Sequence, residues 1–275
     1  MEKESRIQQT RRAVPQVLEG GTREIIIYRL FFMQSIYNLG NRIVNNFLVQ
    51  TDKGYILIDT GYENGFARFR RKLQKLKIQP SEIKFIFLTH AHDDHAGFLN
   101  KVLEITNAKM ILHPKAIERL KRGQNSFEGG CSNRLAYLFC LLLTLFGKGE
   151  HKFPPIKDEY LNRLIPIDSH EFRDLNLPIQ IIETPGHTAD HISLFKDNIL
   201  FCGDAAMNGF PSIKRNIIWI ENLRDYKTSW KKIIALNPGK IYPSHGKPFD
   251  VSDMKKYLKF IDEIRLIKLF KDSTP

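Results

Sequence analysis

The run His90-Ala91-His92-Asp93-Asp94-His95 gathers three imidazoles and the Asp94 carboxylate within six residues, directly after the apolar stretch Ile83-Lys84-Phe85-Ile86-Phe87-Leu88. A compact apolar stretch of that length reads as a buried strand, so the four polar groups sit on a loop at a strand end. Imidazole nitrogen and carboxylate oxygen are the donors that hold zinc, iron or manganese. Alternation puts His90 and His92 on one side if extended geometry persists, and Asp94 and His95 then turn toward a neighbouring centre. Asp and His also cap helices, but four donors at this spacing favour metal binding over a capping loop.

Three further donors follow, each just after a predicted strand: His187 in Glu183-Thr184-Pro185-Gly186-His187-Thr188, Asp204 in Phe201-Cys202-Gly203-Asp204-Ala205, and His245 in Tyr242-Pro243-Ser244-His245-Gly246. The strands themselves are short: residues 24–30, 42–49, 55–59, 83–88, 109–112, 164–167, 179–183, 191–195, 198–202 and 240–242. Helices are expected over 64–77, where Phe66, Phe69, Leu73 and Leu76 recur at helical spacing, over 114–120 with Pro114 in its first turn, and over 223–236. A closing amphipathic helix carries Leu258, Ile261, Ile264 and Leu266. Two halves, each of several strands followed by helices, imply an α/β fold arranged as an αββα sandwich rather than a doubly wound parallel sheet.

Residues 1–20 are polar and aperiodic and read as an N-terminal arm, leaving 21–275 as one domain with a helical, apolar insertion at about 123–155. The net charge of +12 favours anionic partners, but its Lys and Arg residues are scattered along solvated helix faces. No aromatic residues interleave with them as a nucleic-acid stacking platform needs. Cys131, Cys140 and Cys202 are widely spaced, which argues against a disulfide framework or a thiolate zinc site and fits a reducing compartment. The charged N-terminus carries no secretory signal, so the cytoplasm is the expected location.

Taken in order, Ile56-Leu57-Ile58-Asp59-Thr60-Gly61, the His-x-His-x-Asp-His run, Thr184-Pro185-Gly186-His187-Thr188, Gly203-Asp204 and Ser244-His245-Gly246 resemble the five motifs of the metallo-β-lactamase superfamily. The resemblance spans about residues 42–250. It implies the fold of that family and two divalent metal ions, zinc first, with iron or manganese as alternatives. His90, His92 and His187 would hold one; Asp94, His95 and His245 the other; Asp204 would bridge them. Asp59 either orients a ligand histidine or only makes the strand-end turn. His191 either supports the site or merely starts a strand. His113, His151 and His170 have no ligand-like context.

The implied reaction is hydrolysis by a metal-activated hydroxide, since cations sharing a water lower its pKa from about 15.7 toward roughly 7. Asp94 is the expected catalytic carboxylate, orienting the nucleophile or passing a proton to the leaving group. Within the superfamily the pattern is similar to the lactonase-like and glyoxalase II-like branch. Class B1 β-lactamases lack a histidine at the place of His95 and use cysteine at that of Asp204, and glyoxalase II has another sequence after the bridging Asp. Lactonases of that branch carry tyrosine where this chain has Met207, which is therefore the candidate substrate contact.

The apolar segment 135–146 is about half the length of a membrane span, so no transmembrane helix is expected. It can serve as a lid with an apolar wall for an acyl chain, as a core or homodimer-interface helix, or as a membrane-surface helix. The expected substrate is a lipophilic small molecule: a carboxylic ester, lactone or thioester with an apolar acyl group. A phosphodiesterase or nuclease of the same fold, acting on nucleic acid, is the alternative.

Overall fold

The computed structural model describes residues 35–147 and 149–269. The N-terminal arm and the strand expected at 24–30 lie outside them. Six strands form the first sheet: β1 (Ile36–Asn38), β2 (Phe47–Thr51), β3 (Gly54–Ile58), β4 (Ile83–Phe87), β5 (Lys109–Leu112) and β7 (Leu164–Pro166), in that spatial order. Its first two pairings are antiparallel and the last three parallel. The second sheet runs β12 (Lys240–Pro243), β10 (Ile199–Gly203), β9 (Ile192–Lys196), β8 (Gln180–Glu183). A small ribbon pairs β6 (Gly130–Cys131) with β11 (Trp219–Ile220).

Strand alternation sorts the apolar side chains into three layers. Phe47 and Val49 of β2, Ile56 and Ile58 of β3, Phe87 of β4 and Phe201 of β10 meet between the two sheets. The intervening Leu48, Leu57 and Ile86 face the other way, onto Phe69 and Leu73 of helix α1 (Phe66–Leu76). Leu200 and Cys202 likewise pack with Trp230 and Ile233 of α7 (Leu223–Leu236) and with Met254 of α8 (Val251–Asp262). Both sheets are thus apolar on both faces, and the αββα sandwich expected from the sequence is the fold observed.

The remaining helices are α2 (Asp93–Ala96), α3 (Leu99–Ile105), α4 (Ala116–Arg122), α5 (Arg134–Leu145) and α6 (His170–Asp174). Helix α4 starts two residues later than expected, because the Ala116 and Ile117 amides turn back onto the His113 and Pro114 carbonyls. The strand expected over 42–49 begins only at Phe47. Asn41 Oδ1 accepts from the Ile43 and Val44 amides at 2.6 and 3.0 Å, which curls the chain away from the ladder. The closing helix ends at Asp262 rather than running through Leu266, and Ile267 pairs with Cys131 instead. No helix among the described residues is long and apolar enough to cross a membrane.

The C-terminal ends of β3, β4, β8, β10 and β12 lead into Asp59, His90, His187, Asp204 and His245. Backbone hydrogen bonds lock this edge. Asp59 N–H donates to Phe87 O, Ile192 N–H to Thr89 O, and Ser244 N–H to Gly203 O, at 2.8–3.0 Å. Gly203 has φ of +51°, and a Cβ there would lie 2.6 Å from His191 Nε2 and 2.9 Å from Thr89 Cβ, so only glycine fits.

Candidate metal centre

His90 and His92 leave β4 with opposite ring nitrogens turned to one point. His187 Nε2 lies 3.1 Å from His90 Nε2 and 3.1 Å from His92 Nδ1. Three nitrogens on one tetrahedral zinc at about 2.0–2.1 Å would stand about 3.3 Å apart, close to what these rings show. Burial and the neighbouring imidazoles hold the pKa values of His90 and His92 well below the usual histidine range. The rings are therefore neutral, with lone pairs available to a cation.

A second group lies beside the first. Asp94 Oδ2 is 3.1 Å from His245 Nε2, and Asp94 Oδ1 is 3.5 Å from His95 Nε2. Between the groups sits Asp204, whose Oδ2 is 3.5 Å from His187 Nε2, 3.4 Å from His245 Nε2 and 3.6 Å from His95 Nε2. Burial alone would raise both carboxyls, but His95 and His245 outweigh it and hold Asp94 and Asp204 below the usual range. Burial likewise works against charge on His95 and His245, yet the facing carboxylates raise both well above the ordinary value.

The donor set fits divalent cations. Within it, His95 Nε2 and Asp204 Oδ1 are buried with no hydrogen-bond partner, a costly arrangement unless a cation is bound there. A cation needs these imidazoles deprotonated, so binding would release protons.

Three of the inward-facing rings are held from behind. His95 Nδ1 lies 2.8 Å from Asp59 Oδ2, His187 Nδ1 2.8 Å from Trp219 O, and His245 Nδ1 2.8 Å from Ile43 O. Such outer hydrogen bonds fix ring orientation and tautomer. Asp59 stands at φ +57° and also accepts from the Thr89 amide and hydroxyl, both at 2.8 Å. Its carboxylate therefore joins β3 to the His90 loop as well as making the turn. His191 accepts the Asp204 amide on Nε2 at 2.9 Å and meets Thr184 Oγ1 through Nδ1 at 2.8 Å; burial and His187 lower its pKa to about 3.

Met207 is buried three residues after Asp204. It is 5% exposed and packs in the core with Ala206, Ile217 and Ile220. A backbone bond from its amide to Arg215 O folds residues 207–215 into a loop that turns the side chain inward. His113 and His170 stand apart from the centre, whereas His151 Nδ1 approaches Asp93 Oδ2 at 3.4 Å. A cleft of about 500 Å³ lined by Ile167, Phe172, Ile181, Ile182, Glu183 and Lys232 includes none of the candidate ligands.

Sequence reasoning missed four residues around this centre. Arg119 pairs with Glu221 and reaches Asp190, whose Oδ2 accepts the amide of Ala91 between the first two histidines at 2.9 Å. Tyr62 is the fourth: Asp94, burial, Asp93 and Asp204 push its phenol far above the usual range, keeping it a neutral donor. Tyr62 follows Asp59-Thr60-Gly61 directly, a local signal; Arg119 carries none, because its partners Asp190 and Glu221 lie far along the chain, Glu221 by 102 residues.

A family model described as the metallo-beta-lactamase superfamily matches residues 39–245. A Caenorhabditis elegans protein named Beta-lactamase-like protein 2 homolog is 28% identical over 235 residues, 83% of this chain and 65% of that protein. The chain spans 65% and 58% of the lengths of the first two curated relatives it matches. A Methanocaldococcus jannaschii protein named Probable metallo-hydrolase MJ0888 is 26% identical over 74% of this chain and 87% of its own. The solved structure of TTHA1623 in a di-iron-bound form superposes with a TM-score of 0.54 at 21% identity, covering 81% of this chain and 97% of that one.

Proposed function

Because the chain belongs to the metallo-β-lactamase superfamily, we propose that it is a dinuclear metal-dependent hydrolase of carboxylic esters, lactones or thioesters with an apolar acyl group. The observation that carries this reading is the position of Asp204 Oδ2, within 3.4–3.6 Å of donors from both ligand groups. In this reading His90, His92 and His187 hold one cation, Asp94, His95 and His245 the other, and Asp204 both. Two divalent ions, zinc first and iron or manganese as alternatives, would supply the charge that acidifies a water and polarises the substrate oxygen.

The chain's own groups do the rest. Asp59, the Trp219 carbonyl and the Ile43 carbonyl keep His95, His187 and His245 pointed inward. His191 fixes the Asp204 backbone. Asp94 is the carboxylate we assign to orient the attacking water and to carry a proton on Oδ1 or Oδ2 to the leaving group. The apolar composition of the segment 135–146 is the sequence feature that favours an apolar acyl group.

A panel of acyl lactones, thioesters and p-nitrophenyl esters, assayed with zinc, manganese and iron, tests this. Turnover that is lost with a chelator and restored by metal is expected; absence of metal-dependent turnover on every member would overturn it. The net charge of +12 favours a second reading, a phosphodiesterase or nuclease. That reading requires cleavage of bis-p-nitrophenyl phosphate or RNA, with nucleic-acid binding that weakens steeply with salt.

A further inference from the structure

Helix α5 has the sequence RLAYLFCLLLTL, in which Arg134 is the one charged residue, yet it buries only Ala136. A helix this apolar is ordinarily enclosed on all sides. Here Leu138, Leu142 and Leu145 recur along one face and, with Phe146 at its end, are 51%, 44%, 72% and 77% exposed. Phe139 of the same helix meets Phe210 at 6.3 Å between ring centroids. Phe210 is 79% exposed and Ile213 of the same loop is exposed too.

This surface borders the metal centre. The loop leading to Phe210 is tied to it, since Asn208 N–H donates to His245 O at 2.8 Å. Ile43, also exposed, offers its carbonyl to His245 Nδ1. Three segments remote in sequence therefore bring bare apolar side chains to one rim. Besides these, only Leu76 and Phe127 are large, apolar and exposed among the described residues, so the patch is local. Arg42 precedes Ile43, Arg134 opens α5 and Lys247 lies two residues after His245, all three exposed and in no ion pair among the described residues; Glu150, close to Phe146 in sequence, is already paired with Lys152 at 2.9 Å.

We propose that this rim docks on an anionic lipid surface. Leu145, Phe146 and Phe210 enter the boundary between headgroups and acyl chains, and Arg42, Arg134 and Lys247 lie at headgroup level. Aliphatic and phenyl side chains with cations around them are the composition such a boundary takes. A second copy fits less well, because it would bring two chains of +12 together. Docking does not depend on the hydrolytic reading, and its test needs no turnover.

The test is co-sedimentation of the full chain with phosphatidylcholine vesicles, with and without phosphatidylglycerol, at low and high salt. The expected result is binding to the anionic vesicles that weakens with salt. The double substitution Leu145→Ser, Phe146→Ser and the single Phe210→Ser should each lower it roughly tenfold, with the melting temperature unchanged because these side chains are already in water. Arg134→Glu should weaken the anionic arm alone. Failure of the unsubstituted chain to bind either vesicle overturns the proposal, as does binding that the apolar substitutions leave intact. A dimer in sedimentation velocity that the same substitutions dissociate, without vesicle binding, overturns it in favour of a second copy.

Discussion

Arg119 and Glu221 meet as a bidentate pair, with hydrogen bonds of 2.7 and 2.8 Å that join helix α4 to the residue after β11. The same guanidinium places Nε 3.3 Å from Asp190 Oδ1, and Glu221 Oε2 also accepts the Ala189 amide at 3.0 Å. One cation therefore ties together the chain after His187, the chain after Trp219 and, through Asp190, the loop between His90 and His92. Arg119→Ala would leave Asp190 and Glu221 buried without their counter-charge, a loss of about 3–5 kcal/mol. Chemical denaturation should show that loss. Arg119→Lys should recover part of it but not the two-point geometry.

Asp59→Asn keeps the size of the side chain and removes the carboxylate behind His95 Nδ1. Metal affinity should fall by about 10–100-fold, the usual consequence of losing such a partner. Competition against a chelator measures it. An unchanged affinity would mean that Asp59 serves the turn and the Thr89 contacts only.

Substituting a ligand should remove metal in a pattern set by the geometry. His187→Ala is expected to leave one tightly held ion per chain and His245→Ala the other, whereas Asp204→Asn should weaken both. Elemental analysis after dialysis gives the ratio. Two ions retained in Asp204→Asn would contradict the shared position.

His151 yields a pH dependence. Its hydrogen bond to Asp93, opposed by burial, raises its pKa above the ordinary value of 6.5. Folding thus favours the protonated ring, so its stabilisation is full below the unfolded value and is lost as pH rises through the folded one. The stability gap between the unsubstituted chain and His151→Gln should accordingly be full below about pH 6.5 and narrow as the pH rises above it. Thermal unfolding across that range checks it, and a gap that widens would reverse the sign.

The sequence by itself determined the fold class and the list of candidate ligands. Apolar runs such as 83–88 are local facts, and a His-x-His-x-Asp-His run after one of them has few other uses. Observed boundaries depart from the apolar pattern where side chains compete with the ladder, as Asn41 does by capturing the Ile43 and Val44 amides. Tertiary structure alone decided the rest. Asp204 reaches both ligand groups because β10 lies between β9 and β12, and Arg119 reaches Glu221, 102 residues away. These depend on which strand ends and loops become neighbours, a matter of packing two sheets face to face, and no local pattern of residue types encodes distances between segments so far apart.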